Sequence, residues 1–373
     1  MKIIINTTNL RTGGALQVAI SFIKETVHFS ENEYHIFLSE SMAKEINIAS
    51  FPKNFIFYNF TYPSRFILMD KTIATLNKIE KEINPDCVFS VFGPTYWKPQ
   101  SKHIMGFANG LYLYNDLPYL INMPFIQKVM FNLKKFYHKI LLKKNADMYI
   151  VQTSDMKNRF VGFINSEKDK VEVVSSKYDS VFTNKIKNLK LLPKKKDGEF
   201  WFITISAYYS HKKLDIINNL VIKIKEMNLN IKFILTLPDE IIETKFKDAK
   251  DYIINLGHVK LEECPYIYQQ ADALFLPTLV ESFTASYPEA MIMKKPILTS
   301  NYSFATSVCE DAALYFNPYD IEDVMEQIVK IYSDKELYNN MVSKASVIVE
   351  KLPSSKERAE EYLKICKKVV ENV

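Results

Sequence analysis

Short apolar runs alternate with amphipathic stretches along most of the chain. Runs such as 2–6 (KIIIN) and 231–235 (IKFIL) are rich in β-branched residues, whereas 214–227 repeats apolar residues every three or four positions. The first pattern predicts buried strands and the second predicts helices. Strands that alternate with helices form parallel sheets with crossover helices. We therefore predict an α/β protein made of doubly wound sheets. The predicted strands are 2–6, 35–38, 54–58, 87–92, 104–107, 148–152, 171–174, 200–206, 231–235, 252–256, 273–276, 296–299 and 314–316.

The alternation stops between residues 175 and 198, a segment rich in Lys and Asn that contains Pro193 and three lysines after it. Such composition is typical of an interdomain linker. We predict an N-terminal Rossmann-like domain over 1–175, a linker over 176–198, a second Rossmann-like domain over 199–352 and a C-terminal helix over 353–373. Doubly wound sheets bind ligands beyond the carboxyl ends of their strands, so we expect a site in a cleft between two facing domains.

Composition narrows the class of protein. The 373 residues are 47% hydrophobic and 24% charged, which suits two domains with sizeable cores. A net charge of +5 is too small to predict a nucleic-acid partner. The four cysteines are far apart and form no CxxC pair, which favours a reducing compartment. With no signal peptide and no long apolar stretch, we expect a soluble cytoplasmic protein.

The clearest amphipathic stretch is 125–144, in which apolar residues recur at helical spacing beside several lysines. We expect its apolar face to pack inside the first domain and its basic face to be solvated. The alternative is that the basic face contacts anionic lipid at the inner face of the plasma membrane, as a peripheral membrane protein would.

Candidate chemistry gathers in 276–297 (LPTLVESFTASYPEAMIMKKPI), where Glu281 follows a strand and Glu289 opens a helix. Backbone amides at a helix N-terminus favour anions, so a diphosphate there would meet those near Phe283, Thr284 and Ala285. A carboxylate beside it can accept hydrogen bonds from sugar hydroxyls. The spacing alone leaves a second interpretation open, in which both glutamates are helix caps.

The segment from Glu281 to Glu289 resembles the E-x7-E motif of the retaining glycosyltransferases of family 4, which have the GT-B fold of two Rossmann-like domains. The resemblance continues through 255–259 (NLGHV), 261–268 (LEECPYIY), 271–278 (ADALFLPT) and 295–300 (KPILTS). It implies that Glu281 lies near the transferred sugar and that Glu289 holds the ribose of the nucleotide. It also implies that Ser282, Phe283 and Thr284 bind the donor, the amides of the last two contacting sugar and phosphate.

The segment 206–215 (SAYYSHKKLD) follows a predicted strand, and Lys212 matches a family lysine that binds the diphosphate. The family's arginine five residues earlier is Ala207 here. Charge neutralisation would then rest more on Lys212, on the helix dipole or on another base such as His211 or Lys213. A solvated surface lysine is the alternative for Lys212.

Gly13 and Gly14 follow the first strand, where glycine lets a backbone approach a ligand closely. A tight turn is the alternative; the resemblance implies a loop that faces the diphosphate and shapes the acceptor side, with Arg11 as an added charge.

Many family members have a histidine near the reacting carbon, and Asn109 stands at that position. Asn can bind a sugar hydroxyl but cannot act as a base, so it is either a catalytic-site residue or a loop cap. His103 is expected to lie before the strand and too far away.

The resemblance implies transfer of a hexose, with retention of configuration, from a nucleotide sugar to a saccharide or lipid-linked saccharide in bacterial surface polysaccharide synthesis. UDP is the first expectation for the nucleotide and GDP the second. The sequence has no Asp-x-Asp motif, so we expect neither a metal nor another cofactor. The alternatives are a GT-B nucleotide-sugar epimerase, a non-catalytic sugar-nucleotide-binding protein and a membrane-surface scaffold that uses the basic helix.

Overall fold

The computed structural model describes residues 1–11, 13–63, 71–121, 123–186 and 192–371. These residues divide into two compact units. Unit 1 is formed by the described residues of 1–116, 120–176 and 353–373, and unit 2 by those of 117–119 and 177–352. Each unit has its own hydrophobic core.

Unit 1 is built on a sheet of parallel strands in the order β3-β2-β1-β4-β5-β6-β7. The strands are β1 (Lys2–Asn6), β2 (Glu33–Ser39), β3 (Phe55–Phe60), β4 (Cys87–Gly93), β5 (Lys102–Phe107), β6 (Met148–Val151) and β7 (Val171–Val173). The strand order changes direction between β1 and β4. In doubly wound sheets, the loops that leave such a switch point are where ligands bind.

The helices of unit 1 include a long one from the far end of the chain. They are α1 (Gly14–Glu25), α2 (Glu40–Glu45), α3 (Lys71–Ile83), α4 (Gly110–Leu113), α6 (Phe125–Asn145), α7 (Ser154–Ile164) and α15 (Ser355–Glu371), and α5 (Pro118–Ile121) lies where the two units adjoin in sequence. Tyr362 of α15 packs edge-on against Phe22 of α1. The buried Arg358 donates hydrogen bonds to the hydroxyls of Ser21 and Ser176.

Unit 2 has a sheet of parallel strands in the order β10-β9-β8-β11-β12-β13, which is the Rossmann order. Its strands are β8 (Phe200–Thr204), β9 (Ile231–Leu235), β10 (Ile253–Asn255), β11 (Ala273–Leu276), β12 (Ile297–Ser300) and β13 (Ala313–Phe316). Its helices are α8 (Ile216–Glu226), α9 (Asp239–Lys245), α10 (Cys264–Gln270), α11 (Ser286–Ile292), α12 (Ser303–Cys309), α13 (Ile321–Ser333) and α14 (Lys335–Glu350). The prediction of two doubly wound α/β domains is confirmed.

Two local expectations are wrong. His103 lies within β5 rather than before it, and burial lowers the pKa of this side chain to about 4. The apolar face of α6 does not pack inside unit 1 along the first half of the helix, because the large apolar side chains from Phe125 to Phe136 are exposed there, whereas Leu141 near the end is buried. Both errors have a physical cause: a polar residue inside a strand and an apolar stripe on the outside of a helix each break the pattern of apolar interior and polar surface.

None of the described helices is long and apolar enough to cross a membrane.

Candidate functional site

The carboxyl ends of β8 and β11 lie side by side at the switch point of unit 2, since these two strands pair in the sheet. A 3-10 turn, Ser210–Lys212, follows β8, and the loop that contains Glu281 follows β11. The amide of Leu279 donates a 2.6 Å hydrogen bond to the carbonyl of His211. This bond joins the two loops directly, so their side chains share one site.

Lys212 and Glu281 form an ion pair in that site. The Lys212 Nζ donates to Glu281 Oε1 at 2.5 Å, and the side chains are only 13% and 11% exposed. The hydroxyl of Thr278 donates to the same oxygen at 2.8 Å. Ion pairs removed from water are screened less than surface pairs, so removing one partner leaves the other with an uncompensated charge. The structure thus brings together two of the predicted site residues.

The positions near Lys212 where further positive charge could stand, Ala207, His211 and Lys213, have different surroundings. Ala207 is exposed and leaves no bulk where the family arginine would stand. Burial lowers the pKa of His211, which favours its neutral form, and its ring stacks on Tyr209 with centroids 5.4 Å apart. The Lys213 ammonium lies over the ring of Tyr319 at 4.7 Å. Lys212 is therefore the cation that the site holds between the two loops.

Glu289 lies in the first turn of α11 and is partly buried. The hydroxyl of the buried Tyr268 donates to Glu289 Oε2 at 3.3 Å. Burial raises the pKa of Glu289 to about 7; the hydrogen bond from Tyr268 opposes that rise and the charge of Asp179 adds to it. This carboxyl thus titrates near neutral pH, unlike an ordinary glutamate.

Between the two glutamates, Ser282 and Phe283 are partly buried and Thr284 is buried. The Thr284 hydroxyl accepts a 3.4 Å hydrogen bond from the amide of Ser286, the first residue of α11. These residues therefore lead directly into the helix, as the sequence predicted. Their contacts with a donor remain predictions.

The other predicted site residues belong to unit 1. Gly13 precedes α1 with φ of +81°, a conformation that side chains disfavour, and Gly14 is the first residue of α1. Both glycines are exposed, and Arg11 lies over the ring of Tyr62 at 4.4 Å. Asn109 directly precedes α4, and its side chain makes no capping hydrogen bond. Their functional roles likewise remain predictions.

Sequence reasoning missed the contributions of Thr278 and Tyr268. Thr278 orients Glu281, and Tyr268 orients Glu289. Both residues lie in segments that carry the family resemblance, but only the fold shows which carboxylate each hydroxyl meets. Tyr268 is separated from Glu289 by a strand and a loop, so no local spacing could have paired them.

The sequence profile of the family described as glycosyl transferases group 1 matches residues 186–347. Unit 2 contains a glycosyltransferase group 1 domain. The site at the carboxyl ends of β8 and β11 lies inside this group 1 domain. A curated relative is the O-antigen chain mannosyltransferase B of Escherichia coli, 31% identical over 83 residues. That segment covers 22% of this chain and 22% of the relative.

Several solved structures share the fold along the whole chain. A glycosyltransferase from Rickettsia africae has a TM-score of 0.74 at 16% identity, with 100% of this chain and 99% of that chain covered. WaaG, a glycosyltransferase involved in lipopolysaccharide biosynthesis, has a TM-score of 0.73 at 12% identity, and both chains are covered completely. HepE of Anabaena, solved with UDP and glucose, has a TM-score of 0.71 at 12% identity over 99% of this chain and 100% of that chain. The group 1 domain is thus part of a GT-B fold.

Proposed function

We propose that this protein is a retaining hexosyltransferase of family 4 that uses a nucleotide sugar, with UDP as the first candidate nucleotide. The observation that carries the proposal is the ion pair of Lys212 and Glu281 at the switch point of the group 1 domain. The pair offers a cation to a diphosphate and a carboxylate to a sugar at the edge of the sheet where doubly wound domains bind ligands. HepE was solved with UDP and glucose, which supports the same class of donor.

Donor binding would change the partner of Lys212. We propose that the diphosphate takes the place of Glu281 beside the ammonium, because a phosphate group offers Lys212 more negative charge than one carboxylate does. Glu281 stays held by Thr278 and then faces the sugar. Its charge would stabilise the positive charge that develops on the anomeric carbon. Lys212 and the amides of Phe283 and Thr284 would offset the negative charge of the departing diphosphate without a metal or other cofactor.

The acceptor is proposed to be a saccharide or a lipid-linked saccharide in bacterial surface polysaccharide synthesis. WaaG acts in lipopolysaccharide biosynthesis, and the curated relative is an O-antigen mannosyltransferase. Within unit 1, Gly13 and Gly14 are proposed to face the donor diphosphate and Asn109 to bind a sugar hydroxyl.

The test begins with a thermal-shift screen of UDP-, GDP- and dTDP-sugars, since a ligand that binds only the folded protein raises its melting temperature. Transfer to a saccharide acceptor is then measured for Glu281→Gln and Lys212→Ala, and the anomeric configuration of the product is read by NMR. We expect both variants to lose about 100-fold or more in kcat/KM. Lys223→Ala removes an exposed ion pair with Glu322 and is the matched control.

The same variants separate the proposed roles. Glu281→Gln releases Lys212 from its partner, so we expect UDP to bind it at least as tightly as it binds the wild type, whereas Lys212→Ala should bind UDP more weakly. Wild-type transfer by Glu281→Gln would contradict the mechanism. Conversion of the donor into a different nucleotide sugar, in an assay that contains no acceptor, would favour an epimerase. UDP binding with neither transfer nor hydrolysis would favour a non-catalytic binder, for which the exposed Ala207 is the supporting observation.

A further inference from the structure

Helix α6 carries an unusual concentration of exposed apolar side chains. Of the 14 large apolar side chains exposed among the described residues, six lie on this helix, at 42–80% exposure. They are Phe125, Ile126, Val129, Met130, Leu133 and Phe136. At 3.6 residues per turn they fall within an arc of about 140° and extend for about 17 Å. We call these six residues the α6 stripe.

The second half of α6 attaches the helix to unit 1. His138, Leu141, Leu142 and Asn145 are buried and attach the second half of the helix to unit 1. The His138 ring is hydrogen-bonded to the hydroxyl of Tyr112 at 2.9 Å. These buried residues come after the stripe along the helix, so the second half of α6 is held in unit 1 while the first half presents its apolar side chains to solvent. Contiguous exposed apolar surface of this kind marks an interaction site.

The charges around the α6 stripe indicate which kind of partner this surface binds. Helix α6 contains six lysines and no acidic residue, and no Asp or Glu occurs between Asp116 and Asp147. Lys134 flanks the stripe on one side and Lys128 on the other, and both are exposed. A second copy of the chain would bring an equal set of lysines to the same face and repel it. An anionic lipid surface offers hydrocarbon for the stripe and phosphates for the lysines.

We propose that α6 docks unit 1 onto an anionic lipid bilayer, lying in the plane of the membrane surface with its stripe inserted among the headgroups. The proposal goes beyond sugar transfer and does not depend on it. If transfer also occurs, docking would hold the enzyme where a lipid-linked acceptor is found. The basic face and the apolar stripe act together here, rather than as a solvated face and a core face.

The test measures sedimentation of the full chain with vesicles rich in phosphatidylglycerol and, separately, with vesicles of phosphatidylcholine alone. We expect binding to the anionic vesicles that weakens as salt is raised, because exposed charges are screened. Met130→Glu with Leu133→Glu should weaken it by tenfold or more. The same change at Ile222 and Val347, which are also exposed but lie in unit 2, is the matched control and should leave binding intact.

A second pair of variants tests the charges. Lys128→Gln with Lys134→Gln should weaken binding several-fold and flatten its salt dependence, whereas Lys335→Gln with Lys356→Gln, at exposed positions away from α6, should not. Melting temperatures should be unchanged, since all these side chains are exposed. Equal binding to both kinds of vesicle, no binding, or wild-type binding by the α6 variants would overturn the proposal. So would a dimer of the wild type that the α6 variants dissociate. None of these results would bear on sugar transfer.

Discussion

At the scale of single residues, the two glutamates of the site experience opposite surroundings. Glu281 has a cation beside it and a hydroxyl that donates to it. Glu289 has a hydroxyl donor, but burial dominates and raises its pKa to about 7. One carboxylate is thus matched by a charge, while the other is held in an environment that disfavours its ionised form.

The raised pKa of Glu289 makes stability depend on pH. Because its pKa is about 7 in the folded protein against 4.5 for an ordinary glutamate, its stabilising contribution is complete below 4.5 and is lost as pH rises through 7. Relative to wild type, Glu289→Gln should therefore gain stability between about pH 5 and pH 8, by up to about 3 kcal/mol. Urea unfolding across this range measures the difference.

Glu350→Gln makes the same chemical change at an exposed position and is the control. Parallel stability curves for wild type and Glu289→Gln would show that the Glu289 carboxyl has an ordinary environment.

At the scale of elements, strands β4 and β5 approach closely at Gly106. A methyl group there would lie 1.9 Å from the carbonyl oxygen of Val91, which neither backbone can accommodate without moving. Gly106→Ala should destabilise the protein by about 3 kcal/mol. Gly162→Ala, in α7, meets nothing within 4 Å and should stabilise by about 0.5–1 kcal/mol. In thermal unfolding we expect the melting temperature to fall for Gly106→Ala and to rise for Gly162→Ala. An unchanged melting temperature for Gly106→Ala would show that the strands can separate there.

The pattern of apolar residues predicted the strands well, since most of them are buried along nearly their whole length and read as apolar runs, as Ile3 to Ile5 does. It predicted the bounds of α6 to within a residue but assigned its apolar face to the core. Periodicity shows that one face of a helix is apolar but does not show what covers that face. The short α2, α4 and α12 were missed because four to seven residues carry too little of the helical repeat.

The residues of the candidate site were likewise predicted only in part. Lys212 and Glu281 were predicted as site residues through motif resemblance, and the fold joins them. The residues that orient the glutamates, Thr278 and Tyr268, were not predicted. Their roles depend on contacts across the fold, which the order of residues along the chain does not specify.

At the scale of the whole molecule, each unit has a separate core. Leu363 of α15 is buried in the core of unit 1, and Ile331 of α13 is buried in that of unit 2. Leu363→Ala should destabilise unit 1 and Ile331→Ala unit 2, each by about 2–5 kcal/mol. Hydrogen exchange should then quicken in β1 and β4 for the first variant and in β8 and β11 for the second. Equal acceleration in both sheets for either variant would show that the cores unfold together.

The place of α15 in unit 1 has a consequence for synthesis on the ribosome. Nearly all of unit 2, residues 177–352, is translated after most of unit 1 and before α15. At about 5–20 residues per second, the nascent chain carries an incomplete unit 1 for about 10–35 seconds. During that interval the Phe22 ring of α1, against which Tyr362 later packs, stays open to water and to chaperones. Unit 2, which apart from residues 117–119 is one continuous stretch of chain, can therefore finish folding first, although it is made second.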